Sequence, residues 1–144
     1  MKTHTCCFTG HRNLPAERLP IILSNLDREI DKLIQKGVTD FLSVGALGFD
    51  QLAAERIIAK RAKDGRMRLI FALPCRNQEA RWTPKQQVRY RHLLSQGNEV
   101  LYVSEAYNPL CMERRNRYMA THSAYCICAL RNAKSGTGQT VRFA

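Results

Sequence analysis

Polar turns that contain glycine follow several apolar segments of this sequence, and their residue types suit a phosphorylated small molecule such as a nucleotide. Glycine lets the backbone approach a ligand closely, serine and threonine hydroxyls donate hydrogen bonds, and the arginine fork matches phosphate. Two of these turns lead into predicted helices, whose free N–H groups and positive dipole ends attract anions. The candidate ligand-binding residues in these turns are Thr9, Gly10, His11, Arg12, Gly45, Gly48, Asp50, Ser135, Gly136 and Thr137.

The turn at residues 45–50 carries no standard nucleotide fingerprint. Gly45 and Gly48 do not form the G-x-G-x-x-G spacing of dinucleotide folds, and the sequence has no G-x-x-x-x-G-K-[ST] phosphate loop. Two nearby residues each have two interpretations. Asp50 either caps the helix that follows or contacts a ligand, and His11 is either a general base or a hydrogen-bond partner within its turn.

Cleavage of an N-glycosidic or phosphate bond needs a carboxylate, and the candidate catalytic residues are Asp50, Glu79 and Glu113. A basic stretch, 114–117, lies on the helix before the fifth predicted strand. Adjacent helix positions point in different directions, so at most one or two of these side chains reach the site. Trp82 either stacks on a base or packs against its own loop.

Apolar strands and amphipathic helices alternate along the chain, roughly one strand every thirty residues. The predicted strands are 3–8, 38–44, 67–73, 99–103 and 124–130, and the predicted helices are 16–36, 49–63, 83–97, 108–122 and 138–144. Most strands are apolar on both faces, as in a sheet covered by helices on both sides. This pattern predicts a parallel, doubly wound α/β fold whose strand order the sequence leaves open. Ligands of such folds bind beyond the carboxyl ends of the strands.

The charge of the chain is unevenly distributed. The 144 residues carry a net charge of +11, and the segment 56–91 has eleven basic residues against two acidic ones. This segment is either a solvated basic face or a surface for nucleic acid. No apolar run is long enough to span a membrane, and no signal-peptide core is present, so we expect a soluble, cytoplasmic protein.

Six cysteines are predicted to be reduced and buried rather than paired in disulfides. Cys126 and Cys128 share one face of a predicted strand, but no partner pair of histidine or cysteine lies near them in the sequence. No metal site and no required cofactor are therefore predicted.

Several motifs in a fixed order resemble the YpsA-like branch of the SLOG superfamily, a Rossmann-like group that includes the DNA-processing protein A and the Lonely Guy phosphoribohydrolases. The motifs that carry the resemblance are Thr9-Gly10-His11-Arg12, Gly45-Ala46-Leu47-Gly48-Phe49-Asp50, Ala53-Ala54-Glu55, Pro74, Gln78-Glu79, Trp82, Arg115-Asn116-Arg117-Tyr118-Met119 and Gly136-Thr137.

The resemblance implies a single α/β, Rossmann-like, three-layer domain over residues 1–144, with a mostly parallel sheet and helices on both faces. It also implies a pocket for a nucleotide or nucleotide-derived ligand. That pocket would be lined by the two glycine turns near the N-terminus, the Arg115-Asn116 pair and the Gly136-Thr137 turn.

The sequence departs from the family pattern at two places. Val44 stands where relatives usually have the first of two glycines. The phosphoribohydrolases carry a glutamate soon after their Gly-Thr turn, whereas Gly138, Gln139 and Thr140 follow it here. Relatives also tend to continue through a helix beyond the position of Ala144, so we expect a short last helix or an edge covered by a second copy of the chain.

Three functions are consistent with these features. The first is binding or sensing of a phosphorylated, nucleotide-like ligand, favoured by glycine turns and hydroxyls without an evident catalytic acid. The second is a nucleotide hydrolase or transferase. The third is single-stranded nucleic-acid binding through the basic segment 56–91, where few aromatic residues are interleaved with the charges.

Overall fold

The computed structural model describes residues 2–105, 107–129 and 138–142. Its strands are β1 (Thr5–Gly10), β2 (Asp40–Ser43), β3 (Arg68–Leu73), β4 (Glu99–Tyr102), β5 (Tyr125–Ala129) and β6 (Gly138–Arg142). Its α-helices are α1 (Leu19–Gln35), α2 (Phe49–Arg61), α3 (Pro84–Ser95) and α4 (Cys111–His122). Two short 3-10 helices, Lys2–His4 and Ala16–Arg18, precede β1 and α1.

The strands form one sheet in the order β4-β3-β2-β1-β5-β6. The pairs β1–β2, β1–β5, β2–β3 and β3–β4 are parallel, and β6 runs antiparallel to β5. This arrangement confirms the prediction of a mostly parallel, Rossmann-like α/β fold. Because β1 lies between β2 and β5, the strand order reverses beside β1, and a crevice is expected at its carboxyl end.

Helices cover both faces of the sheet, but unequally. The stripe Ile22, Leu26, Ile30 and Leu33 of α1 is buried together with core residues of α2 and α3 on one face. On the other face, Met119 of α4 packs in a smaller cluster with side chains of β1, β2, β3 and β5. The spacing of the α1 stripe therefore identified its buried face correctly.

The last element was predicted wrongly. Residues 138–144 were expected to begin a helix, but Gly138–Arg142 form strand β6, which pairs with β5 from Tyr125 to Ala129. The free edge of β5 offers backbone hydrogen-bond partners that no local pattern reveals, and Thr140 and Val141 are β-branched residues that suit a strand.

The start of the chain also differs from the prediction. Residues 2–4 form a 3-10 helix, so the first strand occupies Thr5–Gly10 instead of 3–8. Two of the candidate ligand-binding residues, Thr9 and Gly10, therefore lie in the strand itself. The helix expected from residue 108 begins at Cys111.

Helix α3 begins with the predicted capping box. The Thr83 hydroxyl accepts a hydrogen bond from Gln86 N at 3.2 Å, and Thr83 N donates to the Gln86 side chain at 3.0 Å. We expect Thr83→Ala to lower the free energy of unfolding by about 1 kcal/mol in urea denaturation, because it removes one half of this box. Thr83→Ser keeps the hydroxyl and should retain most of the stability. Equal losses in both variants would show that the Thr83 hydroxyl contributes nothing to the cap.

Candidate functional site

A cavity of about 380 Å³ lies at the carboxyl ends of β1 and β2, between the first turn of α2 and helix α4. We call it the rim cavity. The candidate residues that line it are Thr9, Gly10, Asp50, Arg115 and Asn116. It occupies the crevice that the strand order predicts, because β1 is the strand at which that order reverses.

Asp50 is the buried acid of the rim cavity. Only 5% of its surface is exposed, and its Oδ1 atom accepts no hydrogen bond within the described residues. Burial raises the pKa of Asp50 from 3.8 to about 7, although the positive charge of Arg115 acts in the opposite direction. Its side chain makes no capping hydrogen bond at the start of α2. The geometry therefore supports no hydrogen-bonded cap, although Asp50 is the acidic residue of the first turn of α2.

Arg115 brings a positive charge to the same cavity. Its Nε and Nη2 atoms donate to the side-chain oxygen of Asn116 at 3.1 and 2.7 Å, and its Nη1 atom lies 3.5 Å from the sulfur of Met112. Burial lowers the pKa of the Arg115 guanidinium, while Asp50 raises it. In the part of the chain that the structure describes, Arg115 has no carboxylate within 4 Å. Its charge is thus available to an anion.

The glycine turn after β1 contacts the glycine turn before α2, and Gly10 and Gly48 allow this close approach because they lack side chains. A Cβ atom on Gly10 would lie 2.5 Å from the ring of Phe49, and one on Gly48 would collide with the carbonyl oxygen of Arg12. Phe49 N donates to the carbonyl oxygen of His11 at 3.1 Å. The predicted convergence of the turns is present, but these glycines make room for protein atoms. The side chains of His11 and Arg12 are exposed and are not part of the cavity wall.

The turn between β2 and α2 leaves backbone donors free. Gly45 has a φ of 69° and is buried, with its N–H bonded to the Ser43 hydroxyl at 3.1 Å. The next three N–H groups, of Ala46, Leu47 and Gly48, donate no hydrogen bond among the described residues. They precede the positive end of α2, an arrangement that favours an anion such as phosphate.

Comparison with known proteins identifies the family. The YpsA family, described as the YspA SLOG family, matches residues 6–142. The chain belongs to the YspA SLOG family. It is 29% identical over 128 residues to an uncharacterized SPbeta prophage-derived protein, YoqJ, of Bacillus subtilis, covering 80% of this chain and 75% of that protein. A UPF0398 protein of Brevibacillus brevis is 27% identical over 89 residues, covering 62% of this chain and 46% of that protein.

Two of the candidate catalytic carboxylates of this SLOG protein lie outside the rim cavity. Glu79 is 3.8 Å from Arg91, and exposed Glu113 is 3.5 Å from Arg117. Neither lines the rim cavity, so Asp50 is the one candidate acid that does. The remaining candidates, Ser135, Gly136 and Thr137, lie outside the described residues.

Sequence reasoning missed part of the cavity wall. Two of the seven further residues that line it in this SLOG protein were detectable from helix spacing. The seven are Cys7, Phe8, Val44, Ala46, Met119, Ala120 and Cys126. Met119 and Ala120 lie four positions after Arg115 and Asn116, so each pair shares a face of α4. Cys7 and Cys126 pair across β1 and β5, a contact that depends on the strand order.

The basic segment 56–91 is not a uniform positive surface. Seven of its eleven basic residues form ion pairs, most of them with acids outside the segment, and these seven are Arg56, Lys60, Arg66, Arg68, Arg76, Arg89 and Arg91. Trp82 packs edge-to-face on Tyr90, with 5.0 Å between ring centroids. Both findings favour the structural interpretations of these features.

The six cysteines of this SLOG protein are free and buried, and the sulfur atoms of Cys126 and Cys128 are 3.6 Å apart. Over residues 2–105, 107–129 and 138–142, no group of three or more potential ligands could hold a metal ion. Among the same residues, no helix combines the length and the apolar character needed to cross a membrane.

Proposed function

We propose that this protein binds a nucleotide or a nucleotide-derived phosphorylated ligand in the rim cavity. The observation that carries the proposal is the presence of Asp50 and Arg115 in one cavity, each without an ion-pair partner within 4 Å in the described chain. A carboxylate accepts hydrogen bonds from sugar hydroxyls, and a guanidinium binds phosphate.

The remaining walls suit the other parts of such a ligand. Ala46 lines the cavity, and its free N–H group suits a phosphate together with those of Leu47 and Gly48, which follow it in the same turn. The apolar side chains of Val44 and Met119 suit a base or sugar carbons. The volume of about 380 Å³ is within the range of roughly 300–1,000 Å³ of small-molecule sites. A cradle for anions, an acceptor and an apolar wall therefore meet in one place.

The unpartnered state of Asp50 is itself informative. A buried polar atom without a hydrogen-bond partner costs about 1–3 kcal/mol, and more when it is charged. Two acidic residues form no ion pair within the described chain, namely Glu17 and Asp50. Glu17 is exposed to water, whereas Asp50 is buried. Strongly perturbed carboxylates in clefts are characteristic of functional sites, where a ligand supplies the missing donors.

The test is a thermal-shift and calorimetric screen with the nucleoside 5′-mono-, di- and triphosphates. A nucleotide at 100 times its Kd should stabilise the protein by about 2.7 kcal/mol. We expect Arg115→Ala to weaken binding about 10- to 100-fold, because it removes a charged hydrogen-bond donor. Arg114→Ala is the matched control, since it removes the same charge from an exposed neighbour on α4. The absence of stabilisation by every nucleotide would refute the proposal.

A second candidate function is cleavage of the bound nucleotide. It is favoured by the Asp50 pKa of about 7, because an acid–base group works best when its pKa is near the operating pH. Chromatography of nucleoside monophosphates incubated with the protein would detect release of free base or phosphate. Release that Asp50→Asn abolishes would establish the enzyme, and unchanged nucleotides would leave binding as the function.

A further inference from the structure

A second cavity, of about 470 Å³, opens at the same rim of the sheet and is not used by the proposed function. We call it the outer cavity. Its walls come from the loop after β3, with Asn77 and Arg81, and from the segment after β4, with Tyr107 in the loop and Met112 in the first turn of α4. Both segments follow carboxyl ends of parallel strands, so they stand at the rim where ligands of this fold class bind.

The outer cavity has the chemistry of a binding site for a flat polar ring. Tyr107 is 73% exposed and Met112 is 42% exposed. Both are large side chains whose apolar surface remains in solvent in the folded chain. Arg81 forms no ion pair, and the Asn77 side chain makes no hydrogen bond, among the described residues. An aromatic face, a cation and an amide are thus free together, beside the Met112 thioether that contacts Arg115.

Two contacts show that the outer cavity adjoins the rim cavity. The side-chain amide of Gln78, which lines the outer cavity, donates to the carbonyl oxygen of Val44, which lines the rim cavity, at 2.8 Å. On α4, Arg115 of the rim cavity is 3.5 Å from the sulfur of Met112 of the outer cavity. The Arg115 guanidinium therefore lies at the boundary between them.

We infer that the two cavities hold one extended ligand, a nucleotide whose phosphate carries a second ring-bearing group. The first sugar and base occupy the rim cavity, the phosphate contacts Arg115, and the second ring lies between Tyr107 and Arg81 in the outer cavity. This inference rests on the proposed function and adds the size and the second moiety of the ligand.

The test compares a short and a long probe by calorimetry. The short probes are adenosine and guanosine 5′-monophosphate, and the long probes are the matching dinucleoside diphosphates. We expect a long probe to bind at least about tenfold more tightly than its short counterpart, because stacking of a second ring on an aromatic side chain has about this effect. Tyr107→Ala and Arg81→Ala should each remove most of this difference and leave the affinity for the short probe unchanged.

Lys85→Ala is the control, because it removes one positive charge from an exposed position outside both cavities. Tyr107 and Arg81 are also exposed, so their variants should keep the thermal unfolding temperature of the parent. A long probe that binds no more tightly, or a preference that survives in both variants, would overturn the inference but not the proposed function. Failure of all probes to bind would contradict both.

Discussion

Replacing Asp50 with asparagine should make the protein more stable above neutral pH and should weaken nucleotide binding at least tenfold. Asp50 is 5% exposed, and burial raises the pKa of its carboxyl group from 3.8 to about 7. A shift of this size corresponds to roughly 4 kcal/mol of destabilisation once the group is charged. Asparagine has nearly the same shape but no charge, so it avoids this cost and also lacks the charged acceptor.

The pH dependence gives this prediction its sign. The pKa of Asp50 is higher in the folded state, so the folded protein binds more protons than the unfolded chain between about pH 4 and 7. The contribution of Asp50 to stability is therefore most favourable below about pH 4, decreases through this interval and levels off above about pH 7. In urea denaturation, the stability of Asp50→Asn relative to the parent should rise over the same interval.

A control separates this effect from the general loss of a surface charge. Asp31 is an exposed carboxylate that pairs with Lys60 at 2.9 Å, and Asp31→Asn should change the free energy of unfolding by less than about 1 kcal/mol at every pH. A stability difference between Asp50→Asn and the parent that stays constant from pH 4 to 8 would contradict the burial of a charge at Asp50. Unchanged nucleotide affinity in Asp50→Asn would show that Asp50 does not contact the nucleotide.

Gly48→Ala should be the most destabilising of the substitutions considered, with a loss of at least about 3 kcal/mol in the free energy of unfolding. Gly48 has a φ of 88°, which costs a residue with a Cβ atom about 1–2 kcal/mol. The added Cβ would also collide with the carbonyl oxygen of Arg12, so the turn after β1 and the first turn of α2 would have to separate. This movement would displace Asp50, and nucleotide binding should weaken as well.

Gly65→Ala is the matched control for Gly48→Ala. Gly65 has no positive φ, and a Cβ atom there would meet nothing within 4 Å. We expect the substitution to leave stability within about 1 kcal/mol of the parent or to raise it slightly, because alanine restricts the unfolded chain. Urea denaturation measures both variants, and similar values for the two would rule out the contact between Gly48 and Arg12.

The role of these glycines could not be predicted from the sequence. Their positions after apolar segments placed them correctly at the rim, and the family resemblance suggested that they face a ligand. In the structure, the space beside Gly10 is filled by the Phe49 ring, and the space beside Gly48 is filled by the carbonyl oxygen of Arg12. A glycine in the sequence does not reveal whether a ligand or another loop occupies the space beside it.

Features that depend on neighbours along the chain could be predicted from the residues alone. The α1 stripe, the capping box at Thr83 and the alternation of strands and helices follow from residue spacing and backbone geometry within one element. Parallel alternation also brings the loops after the strands to one rim. Three features could not be predicted in this way: the pairing of Gly138–Arg142 with β5, the burial of Asp50 near Arg115, and the position of Arg115 rather than Arg114 in the cavity wall. These features depend on strand order, helix rotation and exclusion of water, which are set by packing between segments far apart in the chain.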